Sequence, residues 1–447
     1  MTDRKLARRD AIRAGAAALA MPYVITSAAL GQGDQPGANE MVNIGVIGLG
    51  GRAKQLARTC AGVPGVRIAA ICDLLPNRIA GYRNDVGQGQ DWKSYLDFRQ
   101  MCEVENLDGV MIETTTHARA WVALHAMQMG VDTYIEKPMC LTIAEGREMV
   151  NAARKYERVT QIGTQQRTIP INNWASDLVK SGALGKVKEV LAPNFVGAEV
   201  WDDKPAEPMP DAGYDQWWDI WTNQAVMRPY HSQLHRGWMR WWDYDGGGLS
   251  FGVTGWGAHA YDQINRALGT DDTGPVEVTL DEAVARKGVY PDPNDPGLVG
   301  PRAKVSMKYA DGVVLKFHRD RKDKSLHGLG AAFVCEKGTL EIERNVLWSD
   351  PGEIIEAPEN PGRNPLDENH HHVADWATCI KTRETCAADI EYGQRSHALC
   401  YLTNIARDVG RVGETLNWDP VAEKFTNCDE GNAMLSRPLR AGYELPT

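Results

Sequence analysis

Small residues recur at the spacing Gly-x-Gly-x-x-Ala in Gly48-Leu49-Gly50-Gly51-Arg52-Ala53, directly after the apolar run Val42 to Ile47. Each small position has a chemical use. A glycine at the first permits the tight turn that ends a buried strand. A glycine at the second lets backbone N–H groups approach a pyrophosphate, and alanine at the third lets the next helix pack closely on the strand. Asp73 closes a second apolar run, Val66 to Cys72, at the distance where a carboxylate accepts hydrogen bonds from the hydroxyls of an adenosine ribose. The same charge repels a 2′-phosphate, so the expected cofactor is NAD rather than NADP. Gly48, Gly50, Gly51, Arg52 and Asp73 are its candidate ligands.

Between residues 201 and 245 the aromatics crowd: Trp201, Tyr214, Trp217, Trp218, Trp221, Tyr230, Trp238, Trp241, Trp242 and Tyr244, interleaved with Asp202, Asp203, Asp215, Asp219, His231, His235, Arg236 and Arg240. Flat aromatic faces suit the C–H face of a sugar ring, and bidentate polar groups suit its hydroxyls. Core packing accounts for a tryptophan taken singly, whereas the cluster reads as a carbohydrate pocket with Tyr230, His235, Arg240 and Trp241 as candidates. His370-His371-His372 does not read as a metal site, because adjacent histidines on a helix point in different directions and no carboxylate is spaced to complete it. The nine cysteines are scattered without a Cys-x-x-Cys pair and read as mostly buried thiols.

Alternating strands and helices must position these groups. Gly109 to Glu113 reads as a strand that enters Thr114-Thr115-Thr116-His117, with a helix over Ala118 to Met129 and Gly130 at its end. Val131 to Ile135 is a further short strand, running into Glu136-Lys137-Pro138. Strand-like segments follow at 187–196, 276–280, 303–309, 313–318 and 331–335, with helix-like cover at 372–381 and 394–409. With 447 residues the chain exceeds one ordinary core, which implies two domains. A net charge of −10 without a dense basic block excludes nucleic acid as a partner, and the hydrophobic fraction of 43% contains no run long enough for a membrane span.

The chain begins with the basic segment Arg4 to Arg13, then the moderately apolar Ala14 to Leu30, with small residues at Ser27-Ala28-Ala29. This is the layout of a bacterial export signal, and Arg8-Arg9 points to the twin-arginine route and its export machinery as partner. The expectation is a signal over 1–29, a linker over 30–41 and a periplasmic destination. That route carries folded proteins, often with a cofactor inside, which is compatible with unpaired cysteines.

The nucleotide-binding strand, the threonine-rich loop before a helix and the Glu136-Lys137-Pro138 strand end resemble the Gfo/Idh/MocA oxidoreductase family, named for glucose-fructose oxidoreductase and inositol dehydrogenase. The resemblance continues through Gly163-Thr164-Gln165-Gln166-Arg167, Gly246-Gly247-Gly248, His259 and Leu416-Asn417-Trp418-Asp419-Pro420. It implies an α/β chain with a Rossmann domain over 42–165, followed over 166–447 by an α+β substrate domain with an open, largely antiparallel sheet. It implies that Lys137 and His259 are catalytic, that Thr115, His117, Glu136, Lys137 and Gln165 join the cofactor site, and that Arg167 and Asp262 join the substrate site. One histidine of the 370–372 run would face the substrate cleft. Lysine beside a nicotinamide can stabilise a forming alkoxide, and histidine, with an ordinary pKa near neutrality, suits proton transfer.

Two positions depart from the family pattern. Gly255 stands where many relatives carry an aspartate four residues before the histidine, and Arg119 where a second histidine is frequent. The first departure puts the standard proton relay in doubt. Export implies a tightly bound NAD, because free NAD and a recycling reductase are scarce outside the cytoplasm. Three readings follow: a sugar oxidoreductase; an NAD-dependent glycoside hydrolase acting by transient oxidation at C3 and elimination; and a non-catalytic periplasmic sugar-binding protein. Homo-oligomers are expected from the family.

Overall fold

The computed structural model describes residues 40–285, 300–320, 327–364, 366 and 368–446, so the expected export signal lies outside the described residues, as does the linker up to residue 39. Parallel strands β1 (Val42–Ile47), β2 (Val66–Cys72), β3 (Lys93–Tyr95), β4 (Gly109–Ile112), β5 (Asp132–Ile135) and β6 (Thr160–Ile162) form a six-stranded sheet in the order β3-β2-β1-β4-β5-β6. All four residues of β4 and of β5 are buried, as a parallel sheet covered on both faces requires. The strand order reverses direction on either side of β1, and this opens a crevice at the carboxyl ends of β1 and β4. Helices α1 (Gly51–Cys60), α2 (Pro76–Val86), α3 (Phe98–Val104), α4 (Thr116–Gln128) and α5 (Ile143–Lys155) make the crossovers.

The chain continues through α6 (Pro170–Lys180), β7 (Val187–Pro193), α7 (Trp217–Thr222), α8 (Ser232–Gly237), α9 (Trp256–Leu268), β8 (Glu277–Leu280), β9 (Val305–Lys308), β10 (Val314–Arg319), β11 (Ala331–Cys335), β12 (Thr339–Glu343) and β13 (Val346–Asp350). It closes with α10 (Glu368–Thr382), α11 (Ile390–Val409), β14 (Thr415–Asp419), β15 (Lys424–Phe425) and α12 (Asp429–Ala433). The second sheet has nine strands in the order β13-β12-β11-β7-β10-β9-β8-β14-β15. Only β7 and β10 pair in parallel in it; the remaining ladders are antiparallel, as expected for the substrate domain. Helix α9 packs on α11 and against β7 and β11, with Tyr261 meeting Phe317 at 4.8 Å between ring centroids.

Residues 42–447 form one compact unit. Helix α10, although late in the chain, covers the first sheet: it packs on α1 and β1, and its Trp376 lies 5.7 Å from Tyr134 of β5. Gly109 accommodates that indole, since a Cβ there would lie 2.8 Å from it. The C-terminal segment also turns back. Arg437 stacks on Trp242, and Tyr443 donates to Asp219 at 2.7 Å while packing against Trp121. No helix among the described residues is long and apolar enough to cross a membrane.

Candidate active site

A cleft of about 1060 Å³ opens at the carboxyl ends of β1, β2, β4 and β5, running from the glycine turn to His259. At its nucleotide end Gly48 has φ +87°, and a Cβ there would lie 2.9 Å from the backbone of Glu113, so the turn needs glycine. Gly50 and Gly51 are different: a Cβ on either meets nothing within 4 Å, because both face the cleft. Helix α1 starts at Gly50 with no side-chain cap, which leaves its first N–H groups for an anion. This geometry fits a dinucleotide pyrophosphate. Asp73 lines the same cleft and ties two loops together, accepting from Leu49 N–H at 2.8 Å and Leu75 N–H at 2.9 Å. Burial pushes its carboxyl up and those two N–H groups oppose the shift.

The first turn of α1 reaches the end of β5 through Arg52, whose Nε donates to Glu136 Oε1 at 2.6 Å and whose Nη2 donates to Asn369 of α10 at 2.8 Å. Glu136 also accepts from Gln165 Nε2 at 3.2 Å and from the Lys137 N–H at 3.0 Å. Burial would raise its pKa, but the Arg52 guanidinium and Lys137 ammonium outweigh burial and hold it below the usual carboxylate value. Neighbouring Glu113 has no hydrogen-bond partner among the described residues: both its oxygens are buried, and burial and the Glu136 charge push it up to about 8, against Arg52 and Arg119.

Lys137 precedes a cis peptide bond to Pro138 and donates from Nζ to the Gly255 carbonyl at 2.8 Å. Burial pulls its ammonium down to about 8, against the opposing pull of Glu136 and Asp245. His259 sits in the first turn of α9, buried, with Nδ1 lacking a hydrogen-bond partner among the described residues. It does not cap the helix. Burial, with Arg344 and Lys137 nearby, lowers its pKa well below the usual value, so the imidazole is neutral. Lys137, His259, Asp245, Arg119 and Arg344 line one end of the cleft.

The remaining sequence candidates divide by position. Thr115, Gln165 and His235 line the cleft with the groups above. His117 does not: its Nε2 lies 2.8 Å from the Trp221 carbonyl, and the ring packs on Trp221 and Tyr244 behind the wall. Arg167 and Asp262 are buried elsewhere as an ion pair at 2.8 Å, with Asp271 holding the guanidinium from the other side at 2.6 Å. Their charges are spent on each other, so they are not positioned to meet a substrate. Arg240 pairs with Glu199 and stacks on Trp241, whose indole N–H donates to the Gln233 carbonyl, while Tyr230 packs between Trp217 and Trp218. These three hold the aromatic excursion together, and Trp221 and Trp238 from the same cluster present the wall. His372 turns into the protein, near Thr168 and the Ile162 carbonyl, and does not line the cleft. Eight of the nine cysteines are buried, Cys102 partly so. One group among the described residues, Asp375, Cys379 and Cys386, brings metal-capable atoms within 4.8 Å of one another, away from the cleft.

Asp245, Glu113 and Arg344 escaped sequence reasoning. Asp245 adjoins the Gly246-Gly247-Gly248 run, which was the available signal. Arg344 follows β12 and is tethered by Glu368 at 3.0 Å, a relation between distant segments that spacing does not show.

Residues 42–164 match the model of the oxidoreductase family's NAD-binding Rossmann fold, and residues 175–445 that of its C-terminal alpha/beta domain. A glycosyl hydrolase family 109 protein of Bacteroides fragilis is 30% identical over 125 residues, 27% of each chain, so the match spans about a quarter of that relative. The 1,5-anhydro-D-fructose reductase of Ensifer adhaerens is 23% identical over 325 residues, 72% of this chain and 82% of that one. Among solved structures, the aldose-aldose oxidoreductase of Caulobacter crescentus shares the fold with a TM-score of 0.57 at 19% identity, over 84% of this chain and 99% of that one. With an NAD-binding domain and a C-terminal domain both matched, and with the cleft between the first sheet and His259 built as described, the chain belongs to the Gfo/Idh/MocA family of NAD-binding oxidoreductases.

Proposed function

We propose that the protein oxidises a carbinol carbon of a sugar or sugar derivative, using an NAD held in the cleft throughout the cycle, with a second carbonyl compound later taking the hydride back. The observation that carries the reading is the joint placement of Lys137 and His259 at the end of a cleft whose other end is the uncapped start of α1. NAD, when bound, supplies the acceptor for hydride. His259, neutral by burial, takes the hydroxyl proton on Nδ1, and the Lys137 ammonium stabilises the alkoxide that this leaves. Trp221, Trp238 and His235 offer apolar faces and one polar tip to the sugar. The relation to 1,5-anhydro-D-fructose reductase supports a carbohydrate substrate. The reading includes export by the twin-arginine route, supported by Arg8-Arg9, and self-association through the open sheet, whose edge strand β13 exposes half of Trp348.

A second reading, redox-neutral glycoside hydrolysis through transient oxidation, is favoured by the relatives named glycosyl hydrolase family 109. One assay addresses both: purified protein without added NAD is mixed with free sugars and aryl glycosides while nicotinamide absorbance and aglycone release are followed. A lasting absorbance rise with a free sugar is the expected result. Aglycone release without net absorbance change replaces it with hydrolysis. Silence in both, in a preparation that contains NAD, refutes both.

A further inference from the structure

The Lys137 ammonium lies 2.8 Å from a neutral acceptor, the Gly255 carbonyl, and no side chain can be placed there to give it a charge. A Cβ on Gly255 would lie 2.1 Å from the Leu249 carbonyl oxygen and 2.9 Å from that of Gly248, both backbone atoms of the same turn. Any carboxylate serving Lys137 on this side must come from elsewhere.

Asp245 is that carboxylate by position. It is fully buried, lines the same end of the cleft, and has both oxygens held by hydroxyls: Thr116 Oγ1 donates to Oδ2 at 2.6 Å, and Thr254 Oγ1 donates to Oδ1. Burial pushes the Asp245 carboxyl up, the two hydroxyls oppose that shift, and a buried carboxylate needs a cation close by. Asp245 makes no direct ion pair among the described residues. Two cations act on it, Arg119 and Lys137. Arg119 commits both terminal nitrogens elsewhere: Nη1 donates to the Pro138 carbonyl at 2.6 Å and to Thr116 at 3.2 Å, and Nη2 to the Thr114 carbonyl at 2.8 Å. Lys137 reaches the same turn, its Nζ donating to the carbonyl of Gly255, the residue after Thr254.

The glycine run beside Asp245 follows from the same arrangement. A Cβ on Gly248 would lie 2.8 Å from Asp245 Oδ1, one on Gly246 would lie 2.5 Å from the Thr254 methyl, and Gly247 has φ +97°. The turn is stripped of side chains where Asp245 meets Thr254, next to the carbonyl at 255 that receives Lys137.

We propose that Asp245 is the positioning residue of Lys137, a fixed buried carboxylate that keeps the ammonium on the Gly255 carbonyl and facing the substrate. The inference rests on the reading of Lys137 as the group that stabilises the alkoxide. The charged groups around Lys137 are Glu136 and Asp245, which favour its cation, and Arg119 and Arg344, which oppose it.

The test is the pH titration of Lys137 by NMR of ¹³C-labelled lysine, assigned by loss of the signal in Lys137→Met, alongside the pH profiles of kcat and KM with the best sugar. Removing a negative neighbour disfavours the cation, so Asp245→Asn is expected to lower the Lys137 midpoint by about one pH unit, a tenfold smaller protonated fraction above it. The basic limb of kcat should move with it and KM should stay. Thr254→Val, which keeps the charge but loosens it, should shift the midpoint the same way by less, and it serves where Asp245→Asn does not fold. An unmoved Lys137 titration in the folded variants overturns the assignment. A shifted titration in a protein whose nicotinamide none of the sugars reduces leaves the positioning intact and removes the oxidoreductase reading instead.

Discussion

Arg52 donates through Nε to Glu136 across 2.6 Å, and through its other arm to Asn369, so one guanidinium joins the glycine turn, the end of β5 and the start of α10. Replacement by alanine leaves Glu136 buried beside Glu113 with no cation on that side. Arg52→Ala is expected to cost about 1.5–3 kcal/mol, the range for a charged hydrogen bond, and to weaken NAD binding together with stability. Arg52→Lys should recover part of the stability and little of the binding geometry, because a point charge cannot span both acceptors. Denaturant melts and calorimetric NAD titrations of the two variants provide the measurement.

Glu113 is a carboxylic acid kept protonated near neutrality, with burial and Glu136 raising it to about 8. Its folded pKa lies above its unfolded one, so its contribution is fully present below the unfolded value near 4.5 and is lost as pH rises through about 8. Glu113→Gln mimics the protonated form. It should raise the melting temperature at pH 8–9 relative to the parent and change it little at pH 5; equal shifts at both pH values would rule the assignment out.

The two glycines of the turn should fail in different ways. Gly48→Ala meets the backbone of Glu113 at φ +87° and should lower stability by about 1–3 kcal/mol, read in a thermal melt. Gly50→Val points into open cleft, so the fold should persist while NAD binding falls at least tenfold. Retained NAD in Gly50→Val would move the pyrophosphate away from α1.

His117, His372 and His397 are fully buried, and burial lowers each to about 4. The unfolded chain takes up these protons at higher pH than the folded one. Stability from these groups is therefore present above about pH 6.5 and lost as pH falls toward 4. Melting temperature should drop steeply across that window, and His397→Gln should flatten part of the slope relative to the parent.

The elements most legible in the sequence were those whose pattern is mostly apolar. β1, β2 and β11 fall on the residues expected because each is a largely buried run, broken in β2 only by Arg67 and Ala69. β12 was missed because Glu341 and Glu343 are buried in it, satisfied by Arg319 and by the backbone N–H groups of Gly328 and Leu329, partners that no local pattern reveals. β3 and β6, at three residues each, are too short to carry a period. At the site, motif spacing located the glycine turn and the family resemblance located Lys137, and both line the cleft. The substrate wall was legible only as a composition. Arg167 and Arg240 have the right type for a sugar, but Asp262 and Glu199 claim them, and which aromatic faces inward is decided by packing between α4, α7 and α8. Gly255, which looked like a lost acid, is dictated by the carbonyls of Gly248 and Leu249.

Ala441, Gly442 and Tyr443 form part of the cleft wall opposite the turn at Gly48. The cleft that begins at the first glycine turn is therefore closed by almost the last residues of the chain, so its wall is built from both extremes of the sequence.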